Sequence, residues 1–415
     1  MSSRSTHDVL IVGGGPAGAA CAYWLAEAGC DVALVERKVF PREKTCGDGL
    51  TPRAVRQLED MGLATELSRS HRYNGLRSVG FGKVVELEWP SHPDLPRHGY
   101  VITRHDLDQM VAERAVKAGA TLHQGAEALE PLLEAGACKG AVIKDKQNGD
   151  SSEIGARYVV VADGSNSRFG RALGTRRDRD YPQGMAIRGY WKSPRHDEPW
   201  IESHLDLRDH QGNVVPGYGW IFPVGDGRVN VGVGLLSTFH HWKQINTSTL
   251  MDAFVSTTSP SWGISASSAC GAPTGGRLPM GMSVGPRFGP SHLVIGDAAG
   301  CINPFNGEGI AYAYETGRLA ADSVLAALEG GGPGALEAYE SQLQANYGLY
   351  FKMARAFVKV IGKPHVMRAV ANTGMYSRTL MEWVMRIMAN ILRPDETGPA
   401  EAAYKALTVI AKRAG

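Results

Sequence analysis

Residues 8–36 read DVLIVGGGPAGAACAYWLAEAGCDVALVE, and the rest of the chain is arranged around what this stretch specifies. Residues 8–12 predict a short buried strand, Gly13-x-Gly15-x-x-Gly18 a turn, residues 16–28 a helix opened by Pro16 and Ala17, and residues 31–35 a second, parallel strand. In such a βαβ unit each glycine has its own task. Gly13 makes the tight turn, Gly15 lets backbone approach a pyrophosphate, and Gly18 lets helix and strand pack closely. The helix N-terminus offers free N–H groups and a positive dipole end to the phosphates. Glu36, with Arg37 beside it, closes the second strand roughly 20 residues on, where a carboxylate accepts hydrogen bonds from ribose hydroxyls. A 2′-phosphate would be repelled by that acid, which points away from NADP at this site.

Composition narrows the remainder. A chain of 415 residues exceeds one ordinary core and predicts two or three domains, and its hydrophobic fraction of 43% is enough to fold them. The net charge of +2 arises from 44 basic and 42 acidic residues spread along the chain, so there is no electrostatic case for nucleic acid. The densest basic cluster, RRDR at 176–179, carries its own acid and reads as a solvated loop. The six cysteines form no CxxC pair and share no ligand spacing with the thirteen histidines, which argues against a metal site. The opening MSSRSTHD is polar and runs directly into the first strand, so we expect no signal peptide, free thiols and a cytoplasmic protein.

Beyond residue 36 lies a long loop punctuated by Pro41 and Pro52, containing Cys46-Gly47-Asp48-Gly49, then a helix over 52–61. Long loops beside a cofactor unit are commonly functional. Residues 76–90 alternate like sheet strands, Arg104 opens a helix to about 117, and strands come next at 121–123 and 158–162, the latter ending in Asp163-Gly164. Residues 182–279 show short strands, glycine turns and aromatics with no long helical period. Their clearest part is a hairpin through Tyr218, Trp220 and Phe222, a GDG turn at 225–227, and a return strand over 229–233. The βα texture then resumes: a strand over 292–295, Gly296-Asp297, the turn Pro304-Phe305-Asn306-Gly307-Glu308-Gly309, and a helix over 310–328 starting at Ile310. Gly330–Gly334 reads as a hinge or linker, and the chain beyond it as helical. The expected fold is therefore α/β, with a discontinuous Rossmann-like cofactor domain (1–75, 101–181 and 284–330), an antiparallel β-sheet substrate domain (76–100 and 182–283) and a C-terminal helical region (331–415).

Three separated segments, at 13–18, 163–168 and 296–309, belong together. A nicotinamide dinucleotide needs no third segment, whereas FAD must be held along its ribityl chain and isoalloxazine. Over residues 8–328 this arrangement resembles flavoproteins of the p-hydroxybenzoate hydroxylase fold. The resemblance implies that Asp297 bonds the ribityl hydroxyls, that Arg104 lies against the phosphate or ribose region, and that Asp163 and Gly164 serve the cofactor. It also implies that the turn from Pro304 to Gly309 aims backbone N–H groups and a helix end at the pyrimidine edge of the flavin, where reduced flavin is anionic.

Three motifs, residues 46–52 (CGDGLTP), 216–223 (PGYGWIFP) and 304–310 (PFNGEGI), make the chain similar to the geranylgeranyl reductase family, bacterial menaquinone reductases included. That family's aromatic segment is spaced P-x-x-Y-x-W-x-F-P, and here Pro216 stands only two positions before Tyr218. The resemblance implies reduction of an isoprenoid C=C bond, in a menaquinone tail or a geranylgeranyl compound. An isolated trisubstituted alkene has no carbonyl to polarise, so a proton donor on one side must accompany hydride on the other. Positive charge then develops on the substituted carbon within a dry, π-lined site. Tyr218, Trp220 and Phe222 share one strand face at period two and read either as core or as the wall of that site. Cys46, which the family brings near the flavin, reads either as the proton donor or as inert packing.

Residues 353–392 hold six of the thirteen methionines on an amphipathic helical pattern, with too many charges to span a membrane. They read as helices packed on their own domain or as a lipid-lined surface touching a membrane. Monooxygenases and flavin halogenases use the same scaffold, and a non-catalytic electron-transfer subunit is a further alternative. Tyr218 and Phe222 depart from the W-x-W-x-I-P segment of halogenases. No second G-x-G-x-x-G appears, so NAD(P)H, ferredoxin and a partner flavoprotein all stand as electron donors.

Overall fold

The computed structural model describes residues 5–215, 217–239, 241–393 and 397–413; Pro216 of the aromatic segment and the first four residues lie outside that set. Ser5–Val12 is the central strand of a mixed sheet, flanked by Val32–Glu36 and Ser151–Val161, with Thr121–Gln124 and His292–Val294 outside them, all parallel. Every residue of Val32–Glu36 is buried, as a parallel strand covered on both faces requires. Helix Pro16–Glu27 makes the crossover and is itself enclosed, by helix Arg104–Lys117 and by helix Ile310–Ala326. The latter approaches closely at Gly317, where a Cβ would stand 2.5 Å from the Ala17 carbonyl oxygen.

A second, seven-stranded sheet runs in the order Thr274–Pro279, Gln183–Lys192, Arg228–Leu236, Gly217–Pro223, Trp200–His204, Gly75–Gly80, Lys83–Glu88. The expected hairpin is present, in unbroken register from Gly217 opposite Leu235 to Pro223 opposite Val229. Strand Gly75–Gly80 enters this sheet by parallel pairing with Trp200–His204.

The sequence expectation fails in three places. Residues 182–279 do contain a long helix, Thr247–Trp262, which covers one face of the second sheet with Leu250, Met251, Phe254 and Trp262. Its Ser/Thr content hid it, yet those hydroxyls are satisfied within the helix: Thr257 and Thr258 donate to the carbonyls of Ala253 (2.9 Å) and Phe254 (2.8 Å). Asn246 caps its N-terminus and Gly263, at φ 62°, ends it. Residues 126–145 form an unanticipated hairpin, Ala126–Glu134 with Ala137–Asp145, that extends the first sheet in antiparallel pairing with Ser151–Val161. The glycine run at 330–334 is a tight corner rather than a linker. Gly330 at φ 113° breaks the helix, and Gly332–Leu343 begins at once, burying Leu336, Tyr339 and Leu343 in the main core.

The remaining helices are Leu349–Ile361, Pro364–Gly374, Arg378–Met388 and Pro399–Arg413. Arg53, on helix Pro52–Asp60, ties the early part of the chain to these later helices. It donates to both carboxylate oxygens of Glu315 (3.0 and 2.5 Å) and to the Asn390 carbonyl (3.1 Å), with Tyr347 sharing Glu315 at 2.7 Å. Because both partners are largely buried, removing one leaves an uncompensated charge, which typically costs about 3–5 kcal/mol. Arg53→Met should therefore lower the urea midpoint by an amount corresponding to about 3 kcal/mol. Adding Glu315→Leu should restore much of it, as equilibrium denaturation will read.

Candidate active site

The glycine turn has the geometry its sequence requires. Gly13 takes φ 106° with its amide on the Val35 carbonyl (2.8 Å), and a Cβ there would meet the Ala162 carbonyl oxygen at 2.4 Å. A Cβ on Gly18 would stand 1.9 Å from the Gly13 carbonyl oxygen. Gly15 differs: a Cβ would meet only the Arg42 guanidinium, at 3.7 Å, so nothing in the protein requires its small size. That is the signature of space kept for a ligand at the N-terminus of helix Pro16–Glu27. Glu36 is buried, and its carboxylate accepts from the amides of Gly14 (3.0 Å) and Lys38 (3.1 Å) and from Arg42 (3.1 Å); Arg37 is exposed.

Arg42 escaped the sequence reading. It bridges Glu36 to the fully buried Asp108 (2.7 Å), and its Nε is buried with no partner among the described residues. Asp108 in turn binds Arg104 through both oxygens (2.6 and 2.7 Å). Arg104 is thus held under the loop, with its guanidinium at the Cys46 thiol rather than free. Burial works against its charge and the Asp108 carboxylate more than offsets that.

The loop bearing Cys46 is clamped by the second sheet. Arg188 donates to the carbonyls of Lys44 (2.9 Å) and Cys46 (3.1 Å), and the Asn230 amide donates to the Cys46 carbonyl (2.9 Å). Gly47 and Gly49 lie directly under the aromatic row, where a Cβ would meet the Phe222 ring at 3.1 and 3.0 Å. The row is one face: Tyr218 to Trp220 is 5.7 Å between ring centres and Trp220 to Phe222 is 6.4 Å. Gly232 and Gly234 stand opposite Trp220 and Tyr218 on the return strand and make room for the rings. The other face of the strand, through Gly219 and Ile221, packs on helix Thr247–Trp262. Trp220 Nε1 donates to Asn230 (3.0 Å), and Tyr218 donates to the Asn306 carbonyl (2.7 Å) of the second glycine turn.

That turn places Gly307 under the Tyr218 hydroxyl and Gly309 near the Asp297 carboxylate, with helix Ile310–Ala326 beginning at Ile310 and Pro304 packed beside Gly281. Glu308 bonds Thr51 at the end of the Cys46 loop and is pushed up to about 7, chiefly by burial. Asp163 caps the Phe169 amide (3.0 Å) with one oxygen, while the other is buried without a partner among the described residues; Gly164 next to it has open space where a Cβ would be. Burial raises the Cys46 thiol, with Arg104 pulling the other way, and raises Tyr218 to about 12. Both are protonated at neutral pH.

Residues 6–200 match the FAD binding domain family. Menaquinone reductase from Mycolicibacterium smegmatis is 40% identical over 399 residues, spanning 95% of this chain and 94% of that protein. Digeranylgeranylglycerophospholipid reductase 1 from Methanopyrus kandleri is 31% identical over 368 residues, 85% and 90% of the two chains. The chain belongs to the geranylgeranyl reductase family of FAD-dependent oxidoreductases. Among solved structures, a geranylgeranyl bacteriochlorophyll reductase-like protein from Thermoplasma acidophilum superposes with a TM-score of 0.80 at 23% identity, over 98% of this chain and all of that one. The flavin-dependent brominase Bmp2 does so at 0.74 and 19%, over 99% of this chain and all of that one. These two share the p-hydroxybenzoate hydroxylase fold. FAD is the family's cofactor, and the open cradle at Gly15 together with the unpartnered Arg42 Nε and Asp163 oxygen fits an elongated, anionic, hydroxyl-rich group.

Two measurements probe this geometry. Gly15→Ala should leave the thermal unfolding of the apoprotein unchanged while weakening FAD binding about tenfold or more in a fluorescence titration, whereas Gly18→Ala should lower stability itself. The second concerns Asp48, which is fully buried, accepts from Tyr190 (2.5 Å) and Asn230 (2.7 Å), and is raised from 3.8 to about 6, chiefly by burial. The folded state therefore binds this proton more tightly than the unfolded chain, and the stability it supplies below pH 4 is lost as pH rises through 6. Asp48→Asn should flatten that part of the stability profile, an effect of at most about 3 kcal/mol in denaturation curves at pH 4 and pH 7.

Proposed function

We propose that this protein saturates one isoprenoid C=C bond, with the tail of a menaquinone as first substrate and geranylgeranyl chains of lipids or diphosphates as second. The observation that carries the reading is a protonated, half-buried thiol, Cys46, beside an arginine and on a loop whose Gly47 and Gly49 pack against a row of three aromatic rings. The names of the relatives agree with it: one reduces menaquinone, another digeranylgeranylglycerophospholipid.

Bound FAD, once reduced, supplies a hydride to the alkene. The protein's part is to supply the proton and the surroundings. Cys46 donates its proton to the less substituted carbon, and Arg104, fixed by Asp108, stabilises the resulting thiolate. Charge building on the more substituted carbon faces the rings of Tyr218 and Trp220, whose π-faces attract cations. With no hydrogen-bonding handle on an isoprene unit, shape and dryness orient it. The closed packing of Gly47 and Gly49 on Phe222 excludes water on that side.

In the cradle, the amides following Gly13 and Gly15 and the Arg42 guanidinium serve the pyrophosphate, and Glu36 serves the ribose. Asp297 and the Asp163-Gly164 corner serve the ribityl chain, and the amides of the 304–309 turn serve the flavin ring. Electrons arrive from NAD(P)H, a ferredoxin or another flavoprotein. A substrate of this kind resides in a lipid bilayer, so the protein works at the membrane surface; no helix among the described residues is long and apolar enough to cross one.

Chemically reduced enzyme mixed anaerobically with menaquinone should yield a quinone heavier by two hydrogens, and mass analysis showing added oxygen or unchanged quinone would reject the reading. Cys46→Ala should retain FAD and lose about a hundredfold or more in turnover; a variant that stays near wild type removes Cys46 from proton transfer.

A further inference from the structure

Four of the large apolar side chains exposed among the described residues lie on or beside helices Pro364–Gly374 and Arg378–Met388. Tyr376 is 71% exposed, Val84 61%, Val370 49% and Leu380 37%. The elements that carry them are neighbours. The Lys83 ammonium lies 3.0 Å from the centre of the Tyr376 ring, and helix Arg378–Met388, which carries Leu380, packs on strand Lys83–Glu88. Helix Pro364–Gly374, which carries Val370, packs against that helix.

The stretch of chain that carries most of this patch is basic. Residues 341–381 contain six Lys and Arg and no Asp or Glu, in a chain whose totals are 44 and 42. Lys363, Arg368 and Arg378 are exposed there, and Lys83 stands at the edge. The nearest acids are occupied: Glu86 binds Arg77 (2.8 Å), Glu88 faces Arg97 (3.5 Å) and Glu382 faces Arg378 (3.2 Å). Bulky apolar groups on a basic stretch of chain suit an interface whose outer layer is anionic and whose interior is hydrocarbon. An acidic protein would match the cations but not the exposed rings and branched chains.

The patch is also continuous with the candidate site. Directly beneath it Met375, Met381 and Met385 are buried in a cluster with Trp89, against which Phe222 packs, and Phe222 lies on Gly47 and Gly49 of the Cys46 loop. At its inner end the same helix is fastened to the second glycine turn, since Asn303 and Asn306 donate to the Met388 carbonyl (2.9 and 3.1 Å).

We propose that the face formed by Val84, Val370, Tyr376 and Leu380, with its surrounding lysines and arginines, docks on the surface of a bilayer containing anionic phospholipid. It deepens the functional reading, because it sets the methionine layer between the bilayer and the aromatic row, where an isoprenoid tail has to pass.

The test is flotation of the full FAD-loaded chain with vesicles of phosphatidylcholine, with and without phosphatidylglycerol. Wild type should float with the anionic vesicles only and be released by salt. Lys363→Glu with Arg368→Glu, and separately Tyr376→Ser with Leu380→Ser, should each reduce the bound fraction about tenfold or more. Both variants should turn over detergent-dispersed menaquinone as wild type does. Equal flotation with neutral vesicles, binding untouched by either pair of substitutions, or light scattering that shows a dimer dissociated by them would overturn the proposal. The salt and lipid dependence of wild type stands as a test even where a variant misfolds. Flotation needs no substrate, so intact docking without quinone reduction supports the surface while sinking the enzymatic reading, and the reverse result does the opposite.

Discussion

The buried side-chain amide of Asn230 joins the parts of the candidate site that come from distant stretches of chain. Its nitrogen donates to the Cys46 carbonyl and to Asp48, and its oxygen accepts from the indole of Trp220. With no exposure at all, it cannot exchange any of these bonds for water, and an unsatisfied amide there would be expensive. One residue thereby fixes the height of the thiol loop over the sheet and the tilt of the central ring. The aromatic wall and the thiol act as one rigid unit for that reason.

Close packing around this unit explains where glycine is required. Gly47, Gly49, Gly232 and Gly307 each lie against an aromatic side chain of the row, so the rings take the volume that Cβ atoms would otherwise hold. The electrostatics are arranged with equal economy. Glu36, Arg42, Asp108 and Arg104 form an alternating chain of buried charges from the end of strand Val32–Glu36 to the thiol. Buried pairs of this kind add little net stability, but their fixed geometry keeps a cation at Cys46 without leaving it uncompensated.

The C-terminal helices link the outer surface to the candidate site. Helix Arg378–Met388 is tied by its last carbonyls to Asn303, Asn306 and Tyr350, while its outer end stands in solvent beside Tyr376. The helix therefore connects the outer surface directly to the second glycine turn. The methionines on its inner face, unbranched and polarisable, fill the cluster around Trp89.

Local pattern alone determined the βαβ unit, the helix at Arg104–Lys117, the hairpin through Tyr218 and Trp220, and the glycine turns at 163–164 and 304–309. Each is encoded within a few residues by turn chemistry and hydrophobic period. The three separated segments pointed to FAD, and family likeness, rather than pattern, supplied the isoprenoid. Helix Thr247–Trp262 stayed hidden because its polar residues find partners inside the helix, which no periodicity reveals. Arg42, Asp108 and Asn230 stayed hidden for a different reason. An arginine in a loop or an asparagine in a strand has no local signature of burial; their roles depend on distant groups being brought within hydrogen-bonding distance, Asp108 to Arg42 and the Cys46 carbonyl, 184 positions away, to Asn230. The sequence could name the thiol and the rings, but only tertiary packing decided that the Cys46 loop lies against the aromatic row, because that depends on Arg188 and Asn230, which come from strands more than a hundred positions away.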